Sequence, residues 1–141
     1  MQRNYKQLLT VWLILLSLIA ACAGVQTQVT VGQEKGEKEL AIKADSFKFQ
    51  PNNIKAYGKD IIILKVENIS GTKHNFTIKD PQGRIIQNID LPAKKTVEVR
   101  VTLSETGTYT FYCDKPFHSL FGMRGHIEVL KRQQGAEISH E

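Results

Sequence analysis

Cysteine is scarce, with Cys22 and Cys113 the only two in the chain. Two are too few for a disulfide framework or a zinc site of four thiolates, so each needs its own explanation. Basic runs are missing as well. The formal charge of +5 comes from 19 Lys plus Arg interspersed among 14 Asp plus Glu, without the clustered stripe that nucleic-acid binding demands, so no nucleic-acid partner is expected. No apolar stretch reaches the roughly 20 residues that span a bilayer. No segment keeps helical periodicity through three turns. With 41% hydrophobic and 23% charged residues among 141, the composition excludes collagen-like, coiled-coil and wholly disordered chains and suits one globular domain.

The longest apolar run lies at the amino terminus. Arg3 and Lys6 precede fourteen uncharged residues, Leu8 to Ala21, the pattern of an export signal. The run ends Leu18-Ile19-Ala20-Ala21-Cys22, which resembles the bacterial lipobox, whose cysteine is acylated and opens the mature protein. Residues 1–21 are therefore expected to be a lipoprotein-type signal peptide and Cys22 a lipid anchor. Cleavage beside Ala21 or Ala23 and retention of the segment as an uncleaved anchor remain alternatives; all three export the protein. Residues 22–38, with Gly24, Gly32, Gly36 and alternating Glu and Lys, are expected to be a tether, reaching roughly 20–25 Å as flexible coil. The domain proper is expected over 39–132, and residues 133–141 form a polar tail. Cys113 is then alone in an oxidising compartment, where a thiol survives by burial or by binding a metal.

Within the domain, apolar residues alternate with polar ones: Leu40, Ile42, Ala44; Ile62, Leu64, Val66; His74, Phe76, Ile78; Val97, Val99, Val101, Leu103; Tyr109, Phe111, Cys113; Ile127, Val129. This period of two, broken by turn residues such as Asp80-Pro81-Gln82-Gly83, predicts an all-β antiparallel Greek-key sandwich or barrel of about seven to eight strands.

The alternation sets His74 and Cys113 on core faces. After Cys113 the chain reads Asp114-Lys115-Pro116-Phe117-His118-Ser119-Leu120-Phe121-Gly122-Met123, adding a second histidine and a methionine. Two imidazoles, a thiolate and a thioether are the donor set of a mononuclear blue-copper site, a trigonal His₂Cys arrangement with a weak axial Met. Sulfur favours Cu(I) and imidazole serves Cu(II). Zinc rarely uses methionine, so the set favours copper.

These segments resemble the cupredoxins of the plastocyanin and azurin family. The resemblance runs from about Glu39 to Lys131 and includes Phe47-Lys48-Phe49-Gln50-Pro51, His74-Asn75-Phe76 and Tyr109 to Cys113. The Cys-x₄-His-x₄-Met spacing is similar to that of the auracyanins and rusticyanins. It implies that His74, Cys113, His118 and Met123 ligate one type 1 copper. It also implies that Asn75 ties the two ligand segments together and that Asn75 and Pro116 stand beside the ligands rather than on the metal. Phe117 stands where many relatives have glycine. Lys73 stands before His74 where azurin has a glycine whose carbonyl approaches the metal. His126 and His140 are expected to be solvated.

The expected function is one-electron transfer between redox proteins, such as a cytochrome or an oxidase, by a lipoprotein held on the periplasmic or extracellular side of a membrane. No acid/base pair, second metal site or small-molecule substrate pocket is evident, so no enzymatic activity is expected. Copper storage or delivery through the same ligands is the alternative, and a metal-free adhesion module is a third. The apolar loop residues Phe117, Leu120 and Phe121, flanked by Lys115 and Arg124, are expected to form the docking patch for the redox partner, with His118 beneath it.

Overall fold

The alternating segments form strands in a computed structural model that describes residues 27–32 and 36–132. Ten strands follow in order: β1 (Gln28–Thr30), β2 (Glu37–Asp45), β3 (Lys48–Gln50), β4 (Asn53–Tyr57), β5 (Ile61–Asn68), β6 (His74–Lys79), β7 (Ile85–Leu91), β8 (Thr96–Thr102), β9 (Gly107–Tyr112) and β10 (Arg124–Leu130). They build two sheets, one in the order β1-β4-β10-β9-β6-β7 and the other β3-β2-β5-β8. The all-β sandwich expected from the alternation is present, and the described residues contain no helix.

Two details differ from expectation. The described residues form ten strands rather than seven or eight; β1 and β3 are three residues long, too short to show a period of two, and β4 holds only one alternation, buried Ile54 and Ala56 about half-buried Lys55. The sheets are mixed rather than purely antiparallel: β2 pairs parallel with β5, and β4 pairs parallel with both β1 and β10. Those partners lie far apart in sequence, so closure of the sandwich selects them and no local pattern announces them. Part of the segment read as a tether also belongs to the sandwich, since Gln28–Thr30 form β1 and Glu37 and Lys38 open β2. Residues 1–26, with the signal segment and Cys22, lie outside the described residues, as do 133–141.

Inward residues of both sheets form the core, among them Ile42, Ile62, Leu64, Val99, Ile78, Ile127 and Val129. Three phenylalanines meet at one end of it. Phe49 contacts Phe76 at 5.2 Å and Phe111 at 5.6 Å, and Phe76 lies 5.1 Å from Phe111, measured between ring centroids. Burying each ring stabilises the fold by about 1.5–3 kcal/mol, and each well-set aromatic pair adds about 0.5–1.5 kcal/mol. Phe76 lies two residues after His74 and Phe111 two before Cys113, so this cluster fixes the core-facing register of the strands that carry both.

Gly125 stands opposite Phe111 in the β9–β10 ladder. A Cβ there would lie 2.4 Å from Phe111 Cζ and 2.4 Å from the Asn52 carbonyl oxygen. Because one of those neighbours is backbone, Gly125→Ala is expected to lower stability by about 1–3 kcal/mol, read as a shift of the urea midpoint. Gly32, which has open space around it, should tolerate alanine within about 0.5 kcal/mol. Equal midpoints for the two variants would refute the close-approach explanation.

Candidate metal centre

Strand β9 lies between β6 and β10 in the larger sheet, so chain leaving β9 runs between the strands that start at His74 and just after Met123. The β6–β9 ladder ends at the Thr77–Tyr112 pair. Beyond it the Asn75 side chain replaces the backbone, its Oδ1 accepting the Asp114 N–H at 2.7 Å. Asn75 Nδ2 donates to Thr77 Oγ1 and Asn88 Oδ1, at 3.1 and 3.0 Å. Asn88 in turn donates to the Asp114 carboxylate at 3.1 Å. The Asn75 side chain thus bridges β6 to the segment that follows β9 through the Asp114 amide. On the other side, the Cys113 N–H donates to the Met123 carbonyl at 3.0 Å, adding one rung beyond the β9–β10 ladder.

Residues 114–122 fold back as a tight loop. The His118 N–H donates to Lys115 O, Phe121 N–H to Phe117 O, Gly122 N–H to Ser119 O, and Met123 N–H to His118 O, at 2.9–3.2 Å. Phe117 takes the left-handed conformation, with φ 67°, which is costly for a residue with a Cβ. Pro116 is exposed in the turn before it.

The result brings three donor atoms together. His74 Nδ1 lies 3.1 Å from His118 Nδ1, and Cys113 Sγ lies 3.4 Å from His118 Nδ1 and 4.0 Å from His74 Nδ1. A point equidistant from all three is about 2.1 Å from each, matching metal–imidazole bonds of about 2.0–2.1 Å and slightly short of a metal–thiolate bond of about 2.3 Å. The three atoms are therefore close enough together to ligate one metal ion. Cys113 and His74 are buried, and His118 is half-buried. Met123 is fully buried and bonded through its backbone to both Cys113 and His118. Burial holds the His74 imidazole below its ordinary pKa, helped by the nearby Lys115 ammonium. His74 is accordingly neutral near pH 7, with a lone pair free to donate.

The sequence reading missed the polar cradle behind His74, whose Nε2 lies 2.9 Å from Ser70 Oγ and 3.3 Å from Thr72 Oγ1. Asn68, Ser70, Thr72 and His74 alternate in sequence, a signal that hydrophobic patterning passes over. It also missed Phe47, whose ring packs edge-on against His118 at 5.1 Å and Phe121 at 5.5 Å. With Phe117, Leu120 and Phe121 exposed at 67%, 74% and 65%, and Phe47 at 42%, the outer rim of His118 is apolar. Arg124 is exposed and borders an open groove with Phe47, Phe121 and Tyr112, while Lys115 is half-buried. His126 is half-buried on the same groove, and His140 lies outside the described residues.

The sequence pattern of the cupredoxin-like domain matches residues 8–129. No curated protein matches the sequence. Among solved structures, dithionite-reduced auracyanin from the photosynthetic bacterium Roseiflexus castenholzii aligns with TM-score 0.58 at 19% identity, over 70% of this chain and 99% of that one. Auracyanin A, described as a blue copper protein from the green thermophilic photosynthetic bacterium Chloroflexus aurantiacus, aligns with TM-score 0.53 at 20% identity, over 65% and 99%. The metal-binding domain of the Streptococcus pneumoniae Cu(I)-exporting P-type ATPase CopA, solved with Cu(I), aligns with TM-score 0.58 at 16% identity, over 76% and 99%. At these identities the likeness concerns the fold.

The tie through Asn75 can be tested without reference to which metal binds. Asn75→Ala strands the Asp114 amide and is expected to cost about 1–3 kcal/mol of stability and about 10–100-fold in metal affinity. Asn75→Asp keeps an acceptor oxygen and should lose less of both. Denaturation midpoints and competition against a chelator measure the two effects; equal affinities for wild type and Asn75→Ala would refute the role.

Proposed function

We propose that this chain, which belongs to the cupredoxin-like family, is a type 1 copper protein that carries single electrons between redox proteins. The observation that carries the reading is the donor triangle, one thiolate and two imidazoles at metal-binding separations, with one imidazole reaching a rim of exposed aromatic and aliphatic side chains. His74, Cys113 and His118 would hold the ion, with the Met123 thioether as a weak further donor. Bound there, copper supplies a one-electron couple between Cu(I) and Cu(II). The protein's part is to hold the donors in an arrangement that suits both states, to keep Cys113 and His74 dry, and to present the His118 edge to a partner.

The role requires no bond-making step, and the partners are proteins rather than small molecules. Phe47, Phe117, Leu120 and Phe121 would exclude water at the contact, while Lys115 and Arg124 would steer an acidic partner through a salt-screened gain in association rate. Acylation at Cys22 would hold the carrier on the outer face of a membrane. The fold-level likeness to the CopA domain supports copper delivery through the same donors as a second reading. The two separate on one observation: a carrier cycles between redox states without losing metal, and a delivery protein passes Cu(I) on to an acceptor.

The visible spectrum of the copper-loaded protein tests the site. Wild type is expected to show an intense thiolate-to-Cu(II) band, and Cys113→Ser to abolish it along with most Cu(II) affinity, because serine offers a harder and far more basic oxygen. A variant that stays blue would refute the assignment. For the docking rim, Leu120→Asp or Phe121→Asp should slow electron exchange with the partner at least about tenfold, since a charge desolvated at the contact opposes association by several kcal/mol. Spectrum and potential should hardly change. Unaltered exchange kinetics would move the contact to another face.

A further inference from the structure

The alternating residues Asn68, Ser70, Thr72 and His74 form a hydrogen-bonded chain whose direction can be read atom by atom. Asn68 is fully buried at the end of β5. Its Nδ2 donates to two carbonyls, Thr72 O at 2.8 Å and Leu91 O at 3.0 Å. Carbonyls only accept, so this pair settles which end of the Asn68 amide is nitrogen. Asn68 Oδ1 must then face Ser70, and it accepts both the Ser70 N–H at 3.0 Å and the Ser70 hydroxyl at 2.7 Å. Ser70 has a single hydroxyl proton, and the shortest contact available to it is this acceptor-only oxygen. With the proton committed there, Ser70 Oγ faces His74 Nε2 at 2.9 Å as an acceptor, and Nε2 must carry the imidazole proton.

Reversing the chain exposes the cost. If Ser70 donated to Nε2, the proton of neutral His74 would sit on Nδ1, inside the donor triangle and 3.1 Å from His118 Nδ1, where the metal belongs. Asn68 Oδ1 would also lose its hydroxyl partner in a buried setting.

We propose that Ser70, oriented by Asn68, is a positioning residue for the copper reading above: it fixes His74 as the Nε2–H tautomer, so that the Nδ1 lone pair faces the metal, and strengthens that lone pair. An acceptor on one imidazole N–H raises the basicity of the other nitrogen. A more basic donor favours the more highly charged Cu(II) over Cu(I) and lowers the potential. Thr72 Oγ1, at 3.3 Å from Nε2, is a weaker acceptor for the same proton, so the two hydroxyls act together. A purely structural turn would contribute to stability and leave tautomer and potential alone.

The first measurement uses the metal-free wild-type protein at neutral pH, in which two-bond proton–nitrogen NMR correlations of the imidazole identify the tautomer. Nε2–H on His74 is expected, and Nδ1–H would overturn the proposal. The second uses Ser70→Ala/Thr72→Val loaded with copper. Cu(II) affinity should fall at least about tenfold more than Cu(I) affinity, which for one electron is a rise in potential of about 59 mV; Ser70→Thr, which keeps a hydroxyl, should restore most of it. A folded double variant with unchanged potential would overturn the proposal while leaving the carrier reading intact. Should the double variant not fold, the wild-type tautomer decides. Should wild type take up no copper, the carrier reading fails and the tautomer measurement still decides the role of Ser70.

Discussion

Three lone pairs have to converge on one buried point, and most of the local structure around them exists to make that arrangement tolerable. Polar atoms withdrawn from water without partners cost about 1–3 kcal/mol each. Here His74 Nδ1, His118 Nδ1 and Cys113 Sγ have only one another inside the triangle. The chain cannot relax them outward, because each is fixed from behind: His74 through Ser70, Cys113 through its amide on Met123, and His118 through the ring of Phe47 and the loop backbone. Fixing donors before a metal arrives is what limits rearrangement when an electron moves, so the constraint on folding is also the source of the proposed function.

The Phe117 conformation bears on the same point. A left-handed backbone costs a residue with a Cβ roughly 1–2 kcal/mol, and glycine would remove that cost. Nothing is recovered by burial, since the Phe117 ring is largely exposed. Its ring lies 6.5 Å from Phe121, which in turn packs on Phe47 at 5.5 Å. The strained position therefore extends a continuous aromatic surface around His118. A side chain kept exposed on a strained backbone is consistent with use of its exposed face, as the proposed docking rim requires.

Legibility in the sequence followed the range of the interactions. Val97, Val99 and Val101 announce β8 because one face of that strand is core and the other is solvent, and His74 and Cys113 fell on core faces by the same count. The Cys113 to Met123 spacing was readable because three of the donors lie in one continuous segment. What stayed hidden depends on distant chain. Phe47 reaches His118 only because the β2–β3 turn folds over the ligand loop, and the parallel pairing of β4 with β10 joins segments some seventy residues apart. Ser70 was invisible for a different reason: a hydroxyl in a short polar linker matters only once Asn68 is known to take its proton. Cys22 and the tail fall outside the described residues, so the anchor rests on the sequence pattern alone.

Strand β1 would change the geometry of such an anchor. With the whole of 22–38 as coil, the domain would stand well clear of a membrane, and any face could turn towards a partner. Yet Gln28–Thr30 pair with Asn53–Lys55 of β4, and the Thr27 carbonyl accepts the Asn53 N–H. Asn53 is level with His126 of β10, three residues, or about 10 Å along the strand, from Met123. The amino-terminal chain therefore enters the sandwich on the half that carries the donor triangle. The carboxyl-terminal chain leaves from the other end, where Arg132 is bound to the buried Asp60 carboxylate beside the start of β5. With a lipid on Cys22, only residues 22–26 would separate it from the pinned strand, a span of at most about 18 Å. So short a connection would hold the site end near the headgroups, which favours partners that are themselves membrane-bound or that dock along the surface.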